Sequence, residues 1–206
     1  MCAIVKRPLS TAEIEVVRRL HQNVEDRYPA WEKRIECSYV PVEFMSEILP
    51  PKTPRPWWGF GIIYPDAPYG NEWIINQYFL FHFGIPIAGP EFKTLVDRVD
   101  INEVRKASAR DLFVEWQPKI TDSEWLANSH NQSYFILNLC RILHAVLGKT
   151  IGSKKAAAAW VKSAHPQWQN LIEEAEHWRY GMEIKRQEES QSFLEFAIEK
   201  VSERSL

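Results

Sequence analysis

Apolar residues run almost without interruption over residues 134–147, in a chain whose other segments mix apolar and polar positions. A helix that is apolar on every side is a buried helix, so this stretch predicts the central helix of a helical bundle. Gly148 follows and is expected to end the helix, because glycine readily takes a positive φ angle. Arg141 is the one fixed charge inside the run.

Two further helices follow, each with a start or stop signal. Ser153 can cap a helix that begins at Lys154. Pro166 interrupts the pattern before a third helix, which is predicted over residues 167–180. A last amphipathic helix is predicted over residues 183–201, with its apolar residues three or four positions apart.

The first half of the chain carries a different pattern. Residues 2–6 are typical of a short strand, and Ser-Thr-Ala-Glu at 10–13 is a capping box that starts a helix ending before Pro29. Residues 34–42 alternate as a half-buried strand does. The prolines between residues 45 and 69 argue against a continuous helix or a central strand there.

The middle of the chain adds two helices. The aromatic-rich residues 71–83 predict one that Gly84 ends, and Asp-Ile-Asn-Glu at 100–103 predicts the start of another that runs to about Trp116. Residues 118–131 are expected to form a polar connection. We therefore predict a mostly helical α+β fold, with few strands followed by a bundle of about five helices.

Composition narrows the class of protein. The 206 residues suffice for one large or two small domains with a buried core. A net charge of −2 offers no basic surface for nucleic acid. Three widely spaced cysteines fit neither a disulfide framework nor a zinc site, which favours a reducing compartment. Without a signal peptide or an apolar run that crosses a bilayer, we expect a cytoplasmic protein with no membrane partner.

Three motifs in the helical half resemble a known family. They are Leu-x-Arg-Ile-Leu in the buried helix, Gly-Lys-x-x-x-Ser-Lys-x-Ala-Ala-x-x-Trp after it, and Glu-x-Ala followed by Tyr-Gly at the end of the third helix. They cover residues 139–181 and resemble the carboxy-terminal domain of aminoglycoside adenylyltransferases of the streptomycin/spectinomycin 3''(9) type. Residues 85–97 and 4–42 resemble two further segments of that family.

The resemblance implies an activity and a set of site residues. Members of the family transfer AMP from ATP to a hydroxyl of an aminoglycoside or a similar small molecule, with Mg²⁺ and ATP as cofactors. It implies that Arg141 and Lys154 bind the nucleotide and that Glu36 is the catalytic base. It also implies that Trp116 and Asn131 bind the acceptor substrate.

The residues alone leave other interpretations open. An arginine in an apolar helix can form an internal ion pair, here with Glu173 or Glu174. Lys154 and Glu36 also fit ordinary solvent-exposed positions. Asn131 stands where the family carries an acidic residue, and a neutral amide attracts a polycationic acceptor less than aspartate does.

The family's metal ligands, an Asp-x-Asp pair, have no counterpart in this sequence. We therefore expect residues 1–98 to be an amino-terminally truncated remnant of the nucleotidyltransferase catalytic domain, with no metal ligands and no useful activity alone. Residues 99–206 are expected to be an intact helical-bundle domain, whose Arg141 and Lys154 face Glu36 in one cleft. The alternative is a non-catalytic remnant or helical module that binds a nucleotide or a partner.

Overall fold

A computed structural model describes residues 1–96 and 98–204. The chain divides into two compact units, Met1–Val99 and Asp100–Leu206. Asp97, the last residue of the family-like segment 85–97, lies outside the described residues. Helices predominate and the strands form a single small sheet in the part of the chain that is described, which confirms the predicted α+β class.

The first unit is built on a sheet with the strand order β1-β2-β3-β4. Its strands are β1 (Cys2–Val5), β2 (Cys37–Pro41), β3 (Arg55–Gly59) and β4 (Ile62–Ala67). β1 and β2 are parallel, and the other two pairs are antiparallel. Parallel neighbours need a long crossover, which helix α1 (Thr11–Arg27) provides. Helix α2 (Glu72–Phe83) follows β4 and ends at Gly84, as predicted.

The start of α1 is fixed by the capping box that the sequence predicts. Ser10 Oγ accepts a hydrogen bond from the Glu13 N–H at 3.4 Å. The Glu13 carboxylate accepts one from the Ser10 N–H at 2.8 Å. Two amides that lack partners inside the helix are thereby satisfied, and this prediction is confirmed.

The proline-rich stretch contains a β-hairpin, so the expectation that its prolines exclude a central strand is wrong. β3 lies between β2 and β4 although it contains Pro56. The sheet tolerates this proline because only Trp57 and Trp58 pair with β2, and the β3–β4 register shifts beside Pro56. Phe60 and Gly61 form the two-residue turn, with φ angles of 55° and 79°. Positive φ at both positions is the geometry of a type I′ hairpin turn.

The second unit is a helical bundle. Its helices are α3 (Ile101–Asp111), α4 (Ser123–Ala127), α5 (Ser129–Val146), α6 (Lys154–Ala164), α7 (Gln169–His177) and α8 (Gln187–Ser202). α5 is central, because α3, α6, α7 and α8 all pack against it. Twelve of its 18 residues are buried, which confirms the predicted core helix. Each fully buried leucine or phenylalanine there contributes roughly 1.5–3 kcal/mol.

Several boundaries in the bundle differ from the prediction. α5 begins at Ser129 rather than at Tyr134, because the Asn128 side chain accepts a hydrogen bond from the Asn131 N–H at 3.1 Å and caps the helix earlier. The expected polar connection is largely helical, with a 3₁₀ turn at Gln117–Thr121 and then α4.

The loop between α7 and α8 is longer than predicted, so α7 ends at His177 and α8 begins only at Gln187. Tertiary hydrogen bonds hold this loop in place of helical ones. Gln132 Nε2 donates to the Ile184 carbonyl at 3.0 Å, and the Ile184 N–H donates to Ser129 Oγ at the same distance. Two residues of α5 thereby fix the backbone of the loop.

Gly148 ends α5 for a different reason from the predicted one. The positive φ at this end belongs to Lys149, at 53°. A Cβ on Gly148 would lie 2.6 Å from the His144 carbonyl oxygen, so glycine is needed for close approach to the preceding turn. Within residues 1–96 and 98–204, no helix has both the length and the hydropathy needed to span a membrane.

Candidate functional site

One side of α5 in the second unit carries polar and aromatic residues. Tyr134 lies four positions after His130 and seven positions before Arg141. These spacings place the three side chains along the same side of a helix. Tyr134 is 43% exposed, whereas its neighbour Phe135 is fully buried. The helix therefore presents a polar and aromatic side toward the surface and an apolar side to the core.

The cap of α6 places a cation next to Tyr134. Ser153 Oγ accepts a hydrogen bond from the Ala156 N–H at 3.2 Å, as the sequence predicts, and so fixes the first turn of α6. Lys154 Nζ lies 4.2 Å from the centroid of the Tyr134 ring. This is a cation–π contact, and it holds a lysine in a helical turn where the helix dipole disfavours positive charge.

Arg141 is half-buried in α5. Burial lowers the pKa of its guanidinium from the usual value, while the nearby Tyr134 hydroxyl and Asp111 carboxylate act in the opposite direction. Arg141 therefore belongs to the same neighbourhood as Tyr134 and Asp111.

The two carboxylates considered as internal partners of Arg141 bind other cations. Glu173 Oε1 lies 3.8 Å from Lys162 Nζ, and Glu174 Oε2 lies 2.9 Å from Arg186 Nε. The two α7 carboxylates thus form ion pairs with Lys162 of α6 and with Arg186, which precedes α8.

A turn of π-helix, Leu112–Trp116, continues α3 and brings a carboxylate into the site. Hydrogen bonds in a π-helix join residues five apart, so such residues lie nearly above one another. Trp116 Nε1 accordingly donates to Asp111 Oδ2 at 2.8 Å. In a regular α-helix these residues would point about 140° apart. The sequence analysis missed Asp111, because a spacing of five is not a signal that helical periodicity provides.

The Trp116 ring joins this pair to the side of α5. Its centroid lies 5.7 Å from that of Tyr134 and 5.7 Å from that of Phe135. Asp111, Trp116, Tyr134, Arg141 and Lys154 thus form one connected group, which we call the bundle site. It combines two cations, one carboxylate and two aromatic rings.

Further rings extend the bundle site along the surface. His130 is nearly parallel to Tyr134, with centroids 6.2 Å apart, and nearly parallel to Tyr180, with centroids 5.5 Å apart. Trp178 meets the edge of this row, 5.0 Å from Tyr180. Tyr180 is 71% exposed. The α7–α8 loop therefore supplies the aromatic residues that the sequence analysis placed within the third helix.

Asn131 lies in the first turn of α5, and its side chain has a structural role. Its Nδ2 donates to the main-chain carbonyl of Trp125 at 3.0 Å, which joins α4 to α5. The expectation that Asn131 contacts the acceptor stays a prediction.

Glu36 belongs to the first unit and precedes β2 by one residue, so the strand predicted from Arg34 begins three residues later. The Arg34 N–H donates to the Trp31 carbonyl at 3.0 Å, in a turn that delays the strand. The Glu36 side chain is exposed. The expected alternation fails as well, because Cys37 and Val40 are both buried. The role of Glu36 as a base stays a prediction.

The described residues show no cluster of three or more potential metal-ligating side chains. Magnesium takes oxygen ligands, usually carboxylates, in a nearly octahedral arrangement. Over residues 1–96 and 98–204, no three or more His, Cys, Asp or Glu side chains gather in a group that could hold a metal ion. We therefore assign no magnesium ligand among them.

Comparison with known proteins finds a matching family model and a solved structure with a similar fold. The model of the family described as "Aminoglycoside adenylyltransferase, C-terminal domain" matches residues 94–204, a range that includes the whole bundle site. A search of curated proteins found no match.

A solved structure is similar over nearly the whole chain. It is the crystal structure of spectinomycin adenyltransferase AAD(9) from Enterococcus faecialis with ATP and spectinomycin. The similarity covers 98% of this chain and 82% of that one, with a TM-score of 0.65 and 16% sequence identity, and it shows a shared fold. Because the family model matches more than half of the sequence, the chain belongs to the aminoglycoside adenylyltransferase family.

Proposed function

We propose that this chain binds ATP at the bundle site and takes part in the transfer of AMP from ATP to a hydroxyl of a cationic small molecule. The observation that carries the proposal is the placement of Arg141 and Lys154 around Tyr134, in the domain that the family model matches. AAD(9), which shares the fold, was crystallised with ATP and spectinomycin. That supports a nucleotide and an aminoglycoside-type acceptor as the two ligands.

The two cations suit a triphosphate. The planar guanidinium of Arg141 matches a pair of phosphate oxygens, and the ammonium of Lys154 acts as a point charge. Burial disfavours the charged form of Arg141 because it removes water from the guanidinium. A phosphate beside the guanidinium would replace those lost interactions. A hydrogen bond to a charged group contributes about 1.5–3 kcal/mol. Contacts of Arg141 and Lys154 with phosphate oxygens would therefore both contribute to the affinity for ATP.

The row of rings next to the cations suits the base of the nucleotide. His130, Tyr134 and Tyr180 are nearly parallel. A nucleobase that stacks on an aromatic side chain gains about 1–3 kcal/mol. The exposed Tyr180 therefore supports adenine binding at the end of the row, with the phosphates toward Lys154.

The proposed reaction forms one bond and breaks another. The acceptor's hydroxyl oxygen attacks the α-phosphorus of ATP, the bond to the bridging oxygen breaks, and pyrophosphate leaves with that oxygen. We assign the base that takes the hydroxyl proton to Glu36, and acceptor binding to Trp116 and Asn131. Arg141 and Lys154 balance the negative charge on the phosphates and on the leaving pyrophosphate.

The two units have different proposed roles. We assign residues 1–98 to the nucleotidyltransferase catalytic portion and residues 99–206 to the helical-bundle domain that holds ATP. The magnesium that the family resemblance implies has no ligand group among the described residues, so the ATP-binding proposal rests on the bundle site alone.

Calorimetric titration of the whole chain with ATP tests the proposal. Wild type is expected to bind, Lys154→Met to bind about tenfold more weakly, and Lys155→Met to bind like wild type. Lys155 is the matched control, because it is the exposed neighbour in the same turn of α6. Absence of ATP binding by wild type would overturn the proposal.

Mass spectrometry then tests the transfer itself. The chain is incubated with ATP, magnesium and a panel of aminoglycosides, and an acceptor that gains one adenylyl group supports the assigned reaction. Binding of ATP without any adenylylated product supports the non-catalytic nucleotide-binding module instead.

A further inference from the structure

A cationic acceptor requires negative charge near its binding position, and Asn131 provides none. We propose that Asp111 supplies that charge beside Trp116 and also positions the Trp116 ring, which makes Asp111 the residue that selects cationic acceptors. The inference rests on the proposed function, because it concerns the acceptor of the same reaction.

The π-helical turn is the structural device behind this assignment. It places Asp111 Oδ2 2.8 Å from Trp116 Nε1, so the indole N–H is held by a charged acceptor. The contact of the ring with Phe135 fixes the rest of the indole against the core. Trp116 is therefore held by a hydrogen bond to its N–H and by ring contact with Phe135, as a preorganised binding surface requires.

The chemistry of the pair suits an ammonium group. A carboxylate has about four acceptor positions on its two oxygens, so Asp111 can accept hydrogen bonds from several donors, the Trp116 N–H among them. Tryptophan is also the best aromatic partner for a cation. A protonated amine at this position can thus interact with the Asp111 carboxylate and the Trp116 ring together.

The charges of the bundle site are arranged for two ligands of opposite sign. Arg141 and Lys154 are the cations assigned to phosphate, whereas the Asp111 carboxylate accepts a hydrogen bond from Trp116 Nε1. The carboxylate also interacts with Arg141, so it competes with phosphate for that guanidinium. Removal of the Asp111 charge should therefore weaken binding of the cation and leave binding of ATP equal or stronger.

The first experiment measures spectinomycin binding to the whole chain, saturated with a non-hydrolysable ATP analogue, at several salt concentrations. Asp111→Asn keeps an oxygen for the Trp116 N–H and removes the charge. We expect its Kd for spectinomycin to rise about tenfold and to depend less on salt than that of wild type. Asp111→Glu restores the charge and should recover the salt dependence, which a purely structural role would not produce.

Glu115→Gln is the matched control. Glu115 lies in the same π-helical turn and is exposed. Its replacement by glutamine changes the net charge by the same amount as Asp111→Asn. Its spectinomycin affinity is expected to equal that of wild type. A Glu115→Gln effect as large as that of Asp111→Asn would indicate a general charge effect and overturn the assignment.

The positioning role has its own measurement. Asp111→Leu removes both the charge and the hydrogen bond, so the indole N–H resonance of Trp116 should shift and exchange faster with solvent than in Asp111→Asn. If the two variants give the same resonance, Asp111 does not position Trp116. Should Asp111→Leu fail to fold, Trp116→Phe is used in its place. If Asp111 positions Trp116, the Trp116→Phe substitution should weaken spectinomycin binding less in the Asp111→Asn variant than in wild type.

The outcomes separate the two proposals. No binding of the ATP analogue by wild type contradicts the proposed function. Binding of the analogue together with an Asp111→Asn variant that keeps wild-type affinity and salt dependence overturns only the role of Asp111. Binding of the analogue without any affinity for spectinomycin or another cationic aminoglycoside also overturns it.

Discussion

Replacement of Arg141 by glutamine separates a nucleotide-binding role from a structural one. Glutamine is shorter than arginine, keeps a planar amide with two N–H donors, and carries no charge. Burial lowers the pKa of the guanidinium and disfavours its charge, so removal of that charge relieves a desolvation cost in the free protein. The ATP complex, in contrast, loses one or two charge-assisted hydrogen bonds to phosphate. We therefore expect Arg141→Gln to lower the free energy of unfolding mainly when ATP is present.

The size of the effect follows from the contacts involved. Loss of a charge-assisted interaction of about 1.5–3 kcal/mol raises the Kd for ATP by roughly 10- to 150-fold. At an ATP concentration of about 100 times the wild-type Kd, the ligand stabilises wild type by about 2.7 kcal/mol. With a Kd raised tenfold, the same concentration stabilises Arg141→Gln by about 1.4 kcal/mol.

The assay is urea unfolding of both proteins with and without ATP. We expect a clear reduction of the ATP-dependent stabilisation in Arg141→Gln, and a much smaller difference between the two proteins without ATP. Equal stabilisation by ATP would refute the assignment of Arg141 to phosphate. A large loss of stability in the absence of ATP would show that Arg141 acts as a structural ion-pair partner.

Three further predictions concern single positions. Lys154→Met should change the stability of the free protein by less than about 1 kcal/mol in urea unfolding, because loss of the cation–π contact offsets relief of the unfavourable dipole interaction. Burial lowers the pKa of His144, so the folded protein keeps it neutral while the unfolded chain binds a proton below about pH 6.5. Stability should therefore fall as the pH drops from 7 to 5, by up to about 1.4 kcal/mol per pH unit for this group. His144→Phe should reduce that slope in urea titrations, and an unchanged slope would contradict the assignment. Gly61→Ala should destabilise the first unit by about 1–2 kcal/mol in thermal unfolding, because φ is 79° and the new Cβ would lie 3.0 Å from Lys33 Cγ. A neutral Gly61→Ala would show that the hairpin turn relaxes.

Local signals in the sequence were sufficient where one short segment determines the structure. The capping box of Ser10 and Glu13 and the cap of Ser153 each depend on residues at most three apart, and both occur as predicted. The buried α5 follows from a continuous apolar pattern. Arg141 and Lys154 are assigned through the family resemblance, and a charge in an apolar helix and a lysine in a first helical turn, both unfavourable in isolation, agree with that assignment.

Features that depend on distant partners could not be read from local patterns. The α7–α8 loop departs from the predicted helices because Gln132 and Ser129, more than 50 residues earlier, bind its backbone at Ile184. Asp111 and Trp116 meet through a π-helical turn, which periodicity of 3.6 residues does not indicate. The central strand with Pro56 depends on which of its neighbours pair with β2.

A crystal structure of the whole chain with a non-hydrolysable ATP analogue tests the central claim most directly. The account predicts that the phosphates contact the Arg141 guanidinium and the Lys154 ammonium, and that the adenine stacks on the ring row that ends at Tyr180. A nucleotide bound elsewhere, with neither cation within hydrogen-bonding distance of a phosphate oxygen, would contradict it.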